Sequence, residues 1–340
     1  MIYFRADSNS LIASGHIMRC ITIASFFKKK GCDVEFLIAD ENPIQMLEKA
    51  NMPYTLLNSQ WDDLSVEVES VSNILKHAPG STLIIDTYQV NRAYVETLQP
   101  FADIYYLGSK QEYLGALEGV INYSSDINYE FYNAQYGKST KLLLGPSYAP
   151  LREEFSNVPE HNNITDFRIL LSSGNTNQNG CIEKILDTLT TSDVFQSIII
   201  DVVVGNMFTN KQELQNKYSR FENIKLHYDV TSMAELMKNS CLAIAANGTT
   251  VYELAASNVP VISFAMVREQ VSSAKGLQSL GVIDYAGTFI DKESECLDHI
   301  QSSLDLYFSN RELLRTLAKK AHSVVDGKGC EKIYNSIAFK

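Results

Sequence analysis

The sequence predicts an α/β protein built from two doubly wound parallel sheets, one following the other along the chain. Three observations carry this reading. Short apolar runs alternate with amphipathic helical patterns from end to end. Small-residue loops join several of these runs to helix starts, the arrangement found at the carboxyl edge of a parallel sheet. The alternation lapses once, in the polar stretch 156–166, and then resumes, as expected of a linker between two Rossmann-like domains with a cleft between them.

The elements follow in order. Residues 2–5 read as the first strand and 16–30 as a helix; 33–39 and 53–57 are strands, and 64–77 is a helix. Leu83-Ile84-Ile85-Asp86 is a continuous apolar run ending in an acid, the pattern of a buried parallel strand meeting its C-terminal loop. Residues 104–107, 119–122 and 142–144 supply shorter strands. Beyond the linker come strand 168–171, loop 172–179, a helix to 189, strand 198–204 and helix 211–218. Strand 224–227, helix 232–238, strand 242–246, helix 250–256 and strand 259–264 continue the series, and helices from about 270, 293 and 311 finish it. The expected divisions are 1–157, 158–325 and a last segment 326–340, whose helix crosses back onto the first domain.

Composition narrows the function. At 340 residues, with 45% hydrophobic and 20% charged residues, the chain suits two globular domains. It has no apolar run near the roughly 20 residues that span a bilayer and no basic, apolar leader, so a cytoplasmic protein without an integral membrane segment is expected. A net charge of -11 argues against nucleic acid as a partner. A phosphorylated ligand remains compatible, because a few helix-start N–H groups hold phosphate locally. The six cysteines (Cys20, Cys32, Cys181, Cys241, Cys296 and Cys330) are scattered, and no pair has metal-ligand spacing. No metal and no cofactor are expected; monomer and homodimer both stay open.

The richest stretch is 5–19, which joins the first strand to the first helix through small residues. Arg5, Asp7, Gly15 and Arg19 are its expected anion- or sugar-binding residues. His16 falls in the first helical turn, where the dipole disfavours imidazolium, so a neutral ring able to accept a proton is expected. His16 is therefore the candidate catalytic base, although such a ring also serves to cap a helix or pack a loop. In the second half, Asn247-Gly248-Thr249-Thr250 leads from a strand into a helix, with Gly248 admitting close approach and the Thr249 and Thr250 N–H groups available to phosphate. Glu253, one turn on, could accept two ribose hydroxyls. Ser172-Ser173-Gly174-Asn175 forms a second small-residue loop, with Gly174 and Asn175 as candidate diphosphate contacts. Read alone, the Gly248 stretch is a plain glycine turn before a capped helix, since strand–Gly–helix junctions are common in α/β proteins, and the Gly174 loop either cradles a diphosphate or simply turns the chain.

Taken together, four segments resemble a known family: 5–19, whose end begins the specific run Gly15-His16-Ile17-Met18-Arg19-Cys20, Gly145-Pro146-Ser147-Tyr148-Ala149-Pro150-Leu151-Arg152-Glu153-Glu154-Phe155, Gly248-Thr249-Thr250-Val251-Tyr252-Glu253, and Val325-Asp326-Gly327-Lys328-Gly329. They are similar, in order and over nearly the whole chain, to the UDP-sugar hydrolases of pseudaminic acid biosynthesis and the related spore-coat polysaccharide proteins. Those enzymes cleave UDP-2,4-diacetamido-2,4,6-trideoxy-β-L-altropyranose and resemble the GT-B glycosyltransferases.

The resemblance implies a GT-B fold, a UDP-sugar substrate and metal-independent, inverting hydrolysis with His16 activating water. It implies Glu253 on the ribose, Gly174 and the Gly248, Thr249, Thr250 turn on the diphosphate, Gln270 near the leaving sugar and Tyr88 on the sugar side. The sequence departs from the family pattern in places. Ala13 stands where the first of two glycines is usual, Thr87 where a histidine is usual, and Leu107-Gly108-Ser109-Lys110 where an Asp-Asp pair is usual. Ser172-Ser173-Gly174-Asn175-Thr176 likewise replaces a loop with two glycines and an aspartate. These departures bear on the sugar and the diphosphate rather than the fold. Two alternatives stand beside hydrolysis: a GT-B glycosyltransferase with a UDP-sugar donor, and a non-catalytic UDP-sugar binder.

Overall fold

The computed structural model describes residues 1–137, 139–158 and 166–338, and the chain divides into two compact units. One comprises Met1–Arg152 with Lys328–Lys340, the other Glu153–Gly327. Most of the expected linker, 159–165, lies outside the described residues.

Seven parallel strands form the sheet of the first unit: β1 (Ile2–Ala6), β2 (Val34–Ile38), β3 (Tyr54–Leu56), β4 (Ser81–Asp86), β5 (Ala102–Leu107), β6 (Gly119–Asn122) and β7 (Lys141–Leu144). Their spatial order is β3-β2-β1-β4-β5-β6-β7. A parallel sheet is covered on both faces, so both residue sets of β1 are buried. Ile2, Phe4 and Ala6 pack with Ile17, Cys20, Ala24 and Phe27 of the first helix, Gly15–Lys29. The final helix, Gly329–Ala338, enters the same core through Cys330, Ile333 and Ile337, with the Tyr334 ring 5.3 Å from that of Phe27. Tyr3 belongs to the other core, with Leu75, Leu83, Ile85 and Val95. Strand alternation sends Arg5 to the side of Tyr3, where a guanidinium must find buried carboxylates.

The helix expected over 64–77 is interrupted. A 3-10 turn, Leu64–Val66, is followed by the helix Val68–Lys76, and Glu67 at the junction is buried against Arg5. Three further helices, Ile44–Lys49, Arg92–Leu98 and Tyr129–Tyr136, add to those expected. Each spans about two turns, too short for the 3.6-residue period to stand out. Asn91 and Asn128 cap the latter two by accepting from the N–H groups of Tyr94 and Phe131.

The second unit holds β8 (Phe167–Ser172), β9 (Ile198–Val204), β10 (Ile224–Tyr228), β11 (Leu242–Ala246), β12 (Val261–Ala265) and β13 (Asp284–Thr288). They are parallel, in the order β10-β9-β8-β11-β12-β13. Edge strand β13 adds to the expected set; its sequence, Asp-Tyr-Ala-Gly-Thr, contains no apolar run. In each sheet the chain order reverses beside the first strand, between β1 and β4 and between β8 and β11. Ligands of open α/β sheets gather at such points. Among the described residues no helix is long and apolar enough to cross a membrane.

Candidate functional site

The reversal point of the first unit brings the start of the Gly15–Lys29 helix to the carboxyl end of β4. Asp86, the last residue of β4, is 1% exposed and collects donors from one face of that helix. Nδ1 of His16 lies 2.6 Å from its Oδ1 and Nε of Arg19 2.5 Å from its Oδ2. Nη2 of Arg19 also donates to Oδ1, and the Cys20 thiol approaches Oδ2 at 3.4 Å. Residues at i, i+3 and i+4 share a helix face, which is why one carboxylate reaches all three. Burial pushes the Asp86 carboxyl up, but Arg19 and the hydrogen bonds from Arg19 and His16 outweigh it, and the group sits below the usual 3.8. Burial, reinforced by Asp86, raises the Cys20 thiol well above its ordinary range, so the sulfur keeps its proton and donates.

Arg19 Nη2 also lies 3.0 Å from Nδ1 of His16, but it already donates to Asp86; an ionised carboxylate only accepts, so in the shorter contact with Asp86 Nδ1 carries the hydrogen. Nε2 makes no hydrogen bond among the described residues, and His16 lines a crevice with Asp7, Ile12, Trp61, Asp86, Thr87, Tyr88 and Gln89. Tyr88, 59% exposed, sets its ring edge-on to the imidazole at 4.7 Å. Arg19 is held further by Tyr123, whose hydroxyl accepts from Nη1 at 3.2 Å. Gly15 is exposed at the helix start.

Arg5, expected among the ligand-binding residues, lies inside the first unit. It is completely buried, and its guanidinium donates to Glu67 (2.6 and 2.8 Å) and to Asp7, not into the crevice. Glu67 also accepts from Tyr94 at 2.8 Å and Ser59 at 2.7 Å. Asp7 lines the crevice, but its Oδ1 accepts the Ala39 N–H at 2.8 Å and its Oδ2 accepts from Arg5. Burial raises the Asp7 carboxyl above its ordinary value against the pull of Arg5 and Ala39, with nearby Glu67 adding to the rise. Asp86, Trp61, Thr87, Gln89 and Ile12 belong to the crevice but not to the expected site. The acid ending the central apolar strand was the one available signal for Asp86.

Ala13, where the family pattern has glycine, adopts φ 53°. This left-handed conformation costs an L-residue roughly 1–2 kcal/mol. Asn9 supports the loop by accepting the N–H groups of Leu11 and Ile12 through Oδ1.

In the second unit, β8 and β11 are neighbours, so the loops after Ser172 and Ala246 emerge side by side. Gly174 takes φ 81° and donates its N–H to Ser172 Oγ at 3.2 Å; Asn175 is exposed. Gly205, after β9, packs so tightly that a Cβ there would fall 2.4 Å from the Gly174 carbonyl oxygen. Asn177 anchors the far side of the loop, donating to Glu183 at 2.6 Å and accepting from the Ile182 N–H at 3.1 Å.

After β11, Gly248 is exposed in extended backbone, φ −151°, and a Cβ there would meet nothing within 4 Å. The Thr249 and Thr250 N–H groups at the head of the helix Thr249–Ala256 have no acceptor among the described residues, as expected of a first turn. Glu253 lies one turn further, half-buried. Asn247 Nδ2 donates to the Gln270 carbonyl at 3.1 Å, while Gln270 Oε1 accepts the Met266 N–H at 2.8 Å. The structure thus brings Asn247 and Gln270 together, and sets Gly174 and Gly248 on adjacent loops. His16, Arg19 and Tyr88 form a separate group within the first unit.

No family model matches the chain. It is 24% identical over 271 residues to an uncharacterized protein of Methanocaldococcus jannaschii, covering 75% of this chain and 54% of that protein. It is also 24% identical over 284 residues to the UDP-2,4-diacetamido-2,4,6-trideoxy-beta-L-altropyranose hydrolase of Campylobacter jejuni, covering 82% and 97%. The spore coat polysaccharide biosynthesis protein SpsG of Bacillus subtilis matches at 24% over 192 residues, 56% of this chain and 54% of that one. The chain therefore spans about half the length of the Methanocaldococcus and Bacillus relatives.

Among solved structures, Acinetobacter baumannii MurG has a TM-score of 0.68 at 14% identity, covering 100% of this chain and 99% of its own. The UDP-GlcNAc 2-epimerase of Neisseria meningitidis, bound to UDP-GlcNAc, scores 0.67 at 11%, covering 100% of both. Anabaena HepE in complex with UDP scores 0.64 at 14%, covering 99% of both. The chain is a distant relative of the Campylobacter hydrolase, and its two parallel-sheet units have the GT-B fold.

Proposed function

We propose that the protein hydrolyses a UDP-linked amino- or deoxy-sugar, releasing UDP, with His16 as general base. The observation that carries this reading is the 2.6 Å contact of His16 Nδ1 with buried Asp86. It fixes one ring nitrogen as donor and leaves Nε2 to take a proton. The likeness to the Campylobacter hydrolase supports the substrate class, and so does the UDP in the Anabaena structure of the same fold.

In this mechanism the first unit carries the reacting group and the second the nucleotide. A water beside Nε2 gives up its proton to His16 as its oxygen bonds the anomeric carbon. The bond from that carbon to the diphosphate breaks, its electron pair leaves with UDP, and the configuration inverts. A positioned base contributes about 100- to 10,000-fold. Stabilisation of departing UDP falls to the Thr249 and Thr250 N–H groups and the Gly248 turn, with Gly174 and Asn175 alongside. Glu253 takes the ribose hydroxyls, and Asn247 and Gln270 shape the adjoining loop. Arg19 and Asp86 position His16, Tyr88 lines the sugar side, and Arg5 acts through Asp7 without touching substrate. The product would feed a nonulosonic acid such as pseudaminic acid.

The test is incubation with UDP-, GDP- and CMP-sugars, including the trideoxy-altropyranose substrate of the family, with no acceptor present. UDP release from a UDP-sugar supports hydrolysis. Release that requires an added acceptor would make the protein a glycosyltransferase, and binding without release a non-catalytic binder.

A further inference from the structure

Trp61 is the single tryptophan of the chain, and it lines the crevice that holds His16, Asp86 and Tyr88. It sits in a tight turn closed by a bridge between Gln60 and Asp63. Asp63 then caps the next 3-10 turn, accepting the Ser65 N–H at 2.9 Å, and that turn ends at Glu67, which grips Arg5. The buried Arg5–Glu67 pair therefore anchors the segment that carries the indole. Trp61 is half-buried, yet its N–H has no acceptor and its ring stacks on no other aromatic among the described residues. A partly buried indole ordinarily pairs its N–H and packs its faces. Here the N–H keeps its donor capacity and the residue lines the crevice beside the proposed base, with no aromatic stacked on its ring among the described residues.

The geometry points to Trp61 as the residue that selects the sugar: its ring takes the C–H face of the pyranose, and its N–H donates to a hydroxyl or acyl oxygen. This assignment rests on the sugar-nucleotide reading above. It separates the ligand into two parts: the sugar meets Trp61, while UDP is held by the loops of the second unit.

With one tryptophan in the chain, intrinsic emission reports this position directly. Titration of the wild-type protein with UDP-2,4-diacetamido-2,4,6-trideoxy-β-L-altropyranose should shift or quench the emission, while UDP alone should leave it unchanged. Trp61→Ala should raise KM about tenfold with kcat within about threefold and the inhibition constant of UDP unchanged; Trp61→Phe should recover most of the loss. A merely structural role would lower the melting temperature without separating sugar from nucleotide. Should the alanine variant fail to fold, the wild-type titration and the phenylalanine variant still decide. Emission unmoved when calorimetry shows the sugar nucleotide bound, or an unchanged KM in folded Trp61→Ala, overturns the assignment. If calorimetry shows no sugar nucleotide bound at all, the proposed function falls and this assignment falls with it.

Discussion

Nδ1 of His16 stands 2.6 Å from Oδ1 of Asp86, a residue 70 positions further along the chain. The carboxylate is buried, held ionised by Arg19 and inaccessible as a proton acceptor for substrate. Its work is to orient the ring and select the tautomer.

Asp86→Asn should therefore cost activity more than binding. An amide can present its N–H to Nδ1 and favour the wrong tautomer, so kcat should fall about 100- to 10,000-fold. Arg19 would also lose its buried partner, and stability should drop by about 3 kcal/mol. Steady-state kinetics and urea unfolding check both parts.

Two buried carboxylates of the first unit should respond to acid in opposite senses. Asp86 has a folded pKa below its usual 3.8, so its stabilisation is present above that value and is lost as pH falls through the folded pKa. Asp7 has a raised folded pKa, so its contribution is present below 3.8 and is lost as pH rises through the folded value. Urea unfolding from neutral pH down to about pH 3 should show Asp86→Asn declining less steeply than the wild type on acidification. Asp7→Asn should decline more steeply.

Arg5→Met should act on stability. It leaves Asp7 and Glu67 buried without their cation, a loss of about 3–5 kcal/mol. Urea unfolding measures this, and the folded fraction should bind UDP as the wild type does. Unchanged stability with weakened substrate affinity would return Arg5 to the ligand-binding set.

Gly248→Ala separates folding from binding in the second unit. The backbone there is extended and a Cβ meets nothing within 4 Å, so thermal melting should be unchanged. If the turn faces the diphosphate, the added methyl should weaken UDP by about tenfold or more, measured by calorimetry.

Much of this was legible in the chain. Apolar runs and their helical partners marked most strands, because parallel strands buried on both faces need continuous apolar residues. His16 and Arg19 stood out because both lie in the first two turns of a strongly patterned helix. The partner of Arg5 was not legible, because Glu67 lies 62 residues away, inside a stretch patterned as one unbroken helix. Strand alternation sets Arg5 on the face of Tyr3, but nothing local in the sequence names the acid it meets there. Asp86 was visible as a strand-ending acid, but only the β1–β4 pairing brings it under His16. Trp61 lies in a turn with no periodic pattern, so nothing local connected it to the crevice. Ala13 could be seen as a missing glycine, whereas its positive φ could not.

The most direct test is single-turnover release of UDP from a UDP-sugar by the wild type and by His16→Gln, with UDP affinity measured for both. The account predicts matched UDP binding and a release rate about 100- to 10,000-fold slower in the variant. Equal release rates at equal UDP affinity would contradict it, because the proton would then have another destination.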